Sequence, residues 1–183
     1  YNSFVRGGAN LSPEKKERLK AINSELAVLS LKFGDNQLKE TNAYKLVIDN
    51  KKDLSGLPEG VVAAAADAAK EAGMEGKWVF TLHNPSIMPF LQYADNRDLR
   101  EQIYKAYINR GSNKNANNNW DNISKMVSLR AEKAHLLGFP DYASYVIDNN
   151  MAKTTDNVYK LCNQIWEAAL PNAKAEAAEL QKM

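Results

Sequence analysis

With a single cysteine, Cys162, this chain of 183 residues has no internal disulfide framework to stabilise it. Histidine is almost as scarce. His83 and His135 are the only two, and they stand too far apart to project from one helix face. A His-Glu-x-x-His zinc motif is therefore excluded within these residues. No stretch approaches the ~18 apolar residues of a membrane-spanning helix; the longest comparable run is the alanine-rich Val61 to Ala66. An excess of one charge is also missing. Lys and Arg number 24 against 22 acidic residues, a net charge of +2, which speaks against a dedicated nucleic-acid binder. Neither a Gly-x-x-x-x-Gly-Lys phosphate loop nor a Gly-x-Gly-x-x-Gly dinucleotide loop occurs. There is no signal-peptide pattern, and the start at Tyr1 rather than methionine reads as a processed or excised piece.

What is present fits one globular domain: 44% hydrophobic and 25% charged residues. Ser12 caps and Pro13 opens a long helix, in which Leu19, Ile22, Leu26, Leu29 and Phe33 recur at steps of three and four. The pattern is extended through Leu38, Tyr44 and Leu46, with a break expected near Gly34. An antiparallel helical pair or one long bent helix fits it. Asp53 to Pro58 is a turn. Val61 to Ala72 is an alanine-rich helix stopped by Gly73. Lys77 to Leu82 is the one strand, whose partner must be an irregular segment of this chain or lie outside it.

A short helical stretch reaches Tyr93, and a charged helix follows over Asn96 to Arg110 with Leu99, Ile103, Ala106 and Tyr107 inward. Gly111 to Asn119 holds five asparagines and reads as an exposed loop. Trp120 to Leu137 is helical, with Ile123, Val127, Ala134 and Leu137 on its apolar face. A short helix spans Asp141 to Ile147. Thr154 or Thr155 caps the last helix, with Val158, Leu161, Cys162, Ile165, Trp166 and Ala169 facing the core and Pro171 expected to kink or break it. The fold class is mainly α with one short strand.

Few residues suggest chemistry. His83, at the strand end, is more readily structural or surface-exposed than ligand-facing. His135 closes a Glu-x-x-His step with Glu132. A di-iron bundle needs two such steps and two more glutamates, so a helix-end histidine is the better reading. Cys162 reads as a buried small hydrophobe, and Trp78, Trp120 and Trp166 as packing anchors. Asp98, Arg100, Glu101 and Arg110 read as a solvated helix face, and Gly7-Gly8 as a flexible lead-in. The glycosylation-type triplets at Asn10 and Asn122 are at chance level. No self-sufficient catalytic constellation is found.

Several segments nevertheless follow one family's order. They are Leu11-Ser12-Pro13-Glu14, Leu29 to Asn36, Leu54-Ser55-Gly56-Leu57-Pro58, and Trp78 to Phe90. Asn96-Arg97-Asp98-Leu99-Arg100-Glu101 follows, then Leu129 to Ala134, Leu136 to Phe139, and Met151-Ala152-Lys153-Thr154. From about Leu11 onward the chain resembles the N-terminal half of the M3 zinc oligopeptidases, the thimet oligopeptidase and neurolysin family, with the bacterial peptidyl-dipeptidase members nearest.

The resemblance implies a mainly helical N-terminal lobe of a two-lobed metallopeptidase, here 1–183 as a single domain. The parent would hold zinc through a His-Glu-x-x-His helix and a downstream Glu, and a peptidyl-dipeptidase would release C-terminal dipeptides from short peptides. None of those residues lies in this sequence, so no catalytic or metal residue is carried over and substrate-binding residues stay unassigned. The expected partners are short peptides and the missing catalytic lobe, and the segment should form one wall of the substrate channel and be inactive alone. It should also expose an apolar patch where that lobe belongs. The alternative is a freestanding α-helical interaction module.

Overall fold

The computed structural model describes residues 1–183. It is mainly helical, as expected, with eight α-helices, one 3-10 turn and one two-stranded sheet. The chain divides into two compact units, residues 1–26 with 126–183, and residues 27–125.

Helix α2 (Pro13–Ala43) is one helix of 31 residues. Ser12 Oγ accepts from the Lys15 N–H at its start, and the helix runs through Gly34 without the expected break. One exposed glycine costs an α-helix only about 1 kcal/mol, too little to stop so long an element. Tyr44 and Leu46 lie beyond its end, and Leu38 is exposed.

In the 27–125 unit, strand β1 (Leu46–Ile48) pairs antiparallel with β2 (Trp78–Phe80), placing Leu46 opposite Phe80 and Ile48 opposite Trp78. The strand partner is thus inside this chain, in residues whose apolar spacing also fits a continuation of α2. Between the strands come a 3-10 turn (Lys51–Leu54) and α3 (Glu59–Glu71). Gly73, at φ +71, ends α3 with Met74 N–H bonded to the Ala69 carbonyl, a left-handed closing turn that glycine adopts without steric cost. Helices α4 (Asn84–Tyr93) and α5 (Arg97–Ile108) follow. Asn96 caps α5 by accepting from the N–H groups of Asp98 and Leu99, and its amide donates to Asp53 at 2.9 Å.

The core of this unit is Leu46, Ile48, Leu54, Ala65, Phe80, Leu82, Ile87, Phe90, Ala94 and Ile103. The rings of Phe80 and Phe90 meet at 4.6 Å. Leu99, Ala106, Tyr107 and Trp78 pack around it, so α5 turns inward the face predicted for it. Gly56 sits at φ +83 against the Tyr93 carbonyl and the Asp95 side chain, leaving no room for a Cβ.

In the other unit, α1 (Asn2–Arg6) precedes a turn in which Gly8, at φ +93, packs on Leu19 and Leu11. Gly8 is buried, so this glycine is fixed rather than a flexible lead-in. Helix α6 (Trp120–Leu136) begins in the second unit and ends in this one. Its buried apolar residues here are Leu129 and Ala134, joining Leu19 and Ile22. Val127 is 60% exposed, so the predicted face was displaced around the helix. Arg18 grips Glu132 with two bonds of 2.6 Å. Short helix α7 (Tyr142–Ile147) is capped by Asp141. Helix α8 (Thr155–Leu180) is capped by Thr154, whose Oγ1 accepts from the Asn157 N–H.

Pro171 lies inside α8, which continues past it. A proline there denies the Glu167 carbonyl its helical partner. Both residues are exposed, so water can take the place of that bond.

Candidate functional site

The most developed polar constellation in the 27–125 unit is on the inward face of α2. The spacing that buries Leu29 continues to Asn36 and Glu40, both buried although polar. Buried polar groups are tolerated only when bonded, and here a segment rich in amides supplies the bonds. Glu40 accepts from Gly111 N–H at 2.6 Å, Asn113 Nδ2 at 2.8 Å and Asn115 Nδ2 at 2.6 Å. Asn119, 2% exposed, has Oδ1 accepting from Asn36 and Asn122 while Nδ2 donates to the Phe33 carbonyl. Arg110 stacks on Tyr107 at 3.8 Å and donates to Thr41 Oγ1.

The Asn-rich segment is an exposed loop over residues 113–116, as expected, but is tied down at both ends, and Arg110 is not simply solvated. Arg100 likewise donates to the carbonyls of Ala94 and Asp95. Burial of Glu40 pushes its pKa up, but the donors Asn115, Gly111 and Asn113 outweigh this and hold the carboxyl below its ordinary value. This ionised carboxylate accepts three hydrogen bonds from the Asn-rich segment. Its chemistry is structural.

The histidines do not converge. In the 27–125 unit, exposed His83 bridges Thr81 Oγ1 and Asn42 Oδ1, both at 3.1 Å. In the other unit, Nε2 of exposed His135 meets the Pro140 carbonyl at 2.9 Å. No group of three or more His, Cys, Asp or Glu side chains is placed to hold a metal ion. The residues present offer no ligand set for the zinc that the family resemblance implies. Asn122 is buried, so its glycosylation-type triplet is inaccessible.

In the unit formed by 1–26 and 126–183, Arg6 is held by Asp148 and the Tyr145 carbonyl and lies 4.7 Å over the Tyr145 ring. Arg6 and Asp148, with Phe139 and Lys153, border an open cavity of about 400 Å³. Lys153 has φ +63, the turn that delivers the chain to the Thr154 cap. Lys133 is drawn down in pKa by burial.

Helix α8 departs most from expectation. It has no buried residue. Leu161 is 58%, Ile165 59% and Trp166 63% exposed, and Cys162 is exposed too. The face predicted to be core is real as a pattern, but apart from half-buried Val158 it stays exposed from Leu161 to Ala169. Of the three tryptophans only Trp78 packs on a core; Trp120, like Trp166, is mostly exposed. Periodicity reveals which side of a helix seeks cover without revealing where that cover is encoded. The polar network was missed for the opposite reason, because Asn36 and Glu40 interrupt an apolar stripe. The available signal was their continuation of the Leu29–Phe33 spacing together with an amide-rich segment able to satisfy them.

Comparison with known proteins gives these features a context. Residues 90–183 match Peptidase family M3. Oligopeptidase A of Haemophilus influenzae is 36% identical over 182 residues, covering 97% of this chain and 27% of that protein. Dipeptidyl carboxypeptidase of Escherichia coli is 35% identical over 181 residues, covering 99% of this chain and 27% of that protein. Organellar oligopeptidase A, chloroplastic/mitochondrial, of Arabidopsis thaliana is 38% identical over 172 residues, covering 89% and 22%. The chain thus spans about a quarter of the length of the curated relatives it matches. With the family match taking in more than half of its residues, from α4 through α8, this chain belongs to peptidase family M3.

Proposed function

We propose that this chain is the helical, non-catalytic part of a zinc peptidase that hydrolyses short peptides, releasing dipeptides from their C-termini. The observation that carries the reading is family membership, joined to relatives named oligopeptidase A and dipeptidyl carboxypeptidase along nearly the whole chain. In this reading the metal and its activated water belong to the remainder of the polypeptide. The 183 residues supply a rigid wall of the substrate channel, limiting which peptides reach the metal. The tightly bonded Asn-rich segment on α2 suits such a role, since a wall selects by shape only if it holds its shape.

Incubating the full-length parent and the 183-residue chain separately with zinc and a blocked pentapeptide tests this. Mass spectrometry should find C-terminal dipeptides with the parent and intact peptide with the chain alone. Robust turnover by the 183 residues would overturn the non-catalytic assignment. Internal cleavage without dipeptide release would replace the peptidyl-dipeptidase reading with an endopeptidase one.

A further inference from the structure

We infer that the apolar stripe of α8 is a docking seat for another helix of the same polypeptide, encoded outside these 183 residues and presenting an aliphatic face. The inference rests on the peptidase reading above and adds the surface through which the two parts join. Val158, Leu161, Cys162, Ile165 and Ala169 recur at helical spacing, with Trp166 on the flank. The opposite side carries Asp156, Lys160, Glu167 and Lys174. A helix meant to stand alone in water has no reason to sort its side chains this way. Its 26 residues span roughly 39 Å, and helices in proteins draw most of their stability from packing such a face. Here Val158 is half-buried, and from Leu161 through Ala169 the face is exposed.

The occupant follows from chemistry and from the relatives. The stripe presents aliphatic and aromatic carbon and no charged side chain, so it matches an apolar helix face rather than an acidic peptide or a nucleic acid. Alanines at 168, 169 and 173 leave room for close approach, within the usual 8–10 Å between packed helices. The family match includes α8, so this helix is part of what the family shares. The relatives carry about three-quarters of their length beyond the aligned region, an ample source for the covering helix.

Cys162 reports on this directly. In a full-length parent whose other cysteines are replaced by serine, its thiol should react with a disulfide reagent at least about tenfold more slowly than in the urea-unfolded protein. Ile165→Asp should return the rate towards the unfolded value, and Glu167→Ala on the polar side should leave it unchanged. Reaction at the unfolded rate in the folded, monomeric parent would overturn the inference. Protection lost on dilution, with the parent sedimenting as a dimer, would also overturn it and assign the face to a second copy. Peptide hydrolysis by the same preparation separates the two readings. An active parent with unprotected Cys162 defeats only this inference, and an inactive parent with protected Cys162 defeats only the proposed activity.

Discussion

Replacing Glu40 by glutamine preserves side-chain size and one acceptor oxygen while converting the other into a donor. The carboxylate takes two bonds on Oε2, from Gly111 N–H and Asn113, and one on Oε1, from Asn115. A glutamine can aim its carbonyl at Gly111 and Asn113, but its NH2 then faces the Asn115 amide donor. One charge-assisted bond is lost and two become neutral. Bonds to charged groups contribute about 1.5–3 kcal/mol each and neutral ones about 0.5–1.5. Allowing for the easier burial of a neutral amide, the net loss is roughly 2–4 kcal/mol near pH 7. Urea unfolding followed by far-UV circular dichroism measures it.

The pH dependence carries the sharper test. Glu40 titrates below the ordinary carboxyl value of 4.5 in the folded protein. Its stabilisation is therefore fully present above the unfolded value and is lost as pH falls through the folded one. The stability gap between wild type and E40Q should narrow on acidification below pH 4.5. A gap under about 0.5 kcal/mol near pH 7, or one indifferent to acid, would refute the assignment of the network's strength to an ionised Glu40.

Asn119→Ala leaves the Asn36 and Asn122 amides without their shared acceptor and should cost about 3 kcal/mol in the same unfolding experiment. Gly56→Ala combines φ +83 with a clash against the Tyr93 carbonyl; a loss of at least about 2 kcal/mol is expected from thermal melts. Phe90→Ala empties the centre of the 27–125 core and should lower stability by about 3–5 kcal/mol. Thr154→Ala removes the α8 cap at about 1 kcal/mol, visible as reduced helicity at the start of α8 in amide-exchange profiles.

The sequence exposes most helices because their signals are local. Asn96, Asp141 and Thr154 announce helix starts, and Gly73 ends α3 by a conformation that needs no distant partner. β1 was hidden because Leu46 and Ile48 also satisfy a helical continuation of α2, and only pairing with Trp78 to Phe80 decides between the two. The inward turn of Asn36 and Glu40 was hidden because their burial depends on amides more than seventy residues later. Val127 and Ile165 show the converse. Their spacing is helical and apolar, yet both are largely exposed, because spacing defines a face before anything exists to cover it. The family was legible from ordered motifs, whereas zinc ligands were not, since these residues contain no set that fits them.

The placement of α3 between β1 and β2 has a kinetic implication. The two strands cannot meet until the intervening chain has folded back, and α3 packs on β2. Closure of that long connection then couples strand pairing to helix docking. Amides of β1, β2 and the inner side of α3 should acquire protection in a single refolding phase, later than the locally capped start of α5. Pulse-labelling that finds the strand pair protected while α3 still exchanges freely would show that the strands find each other unaided.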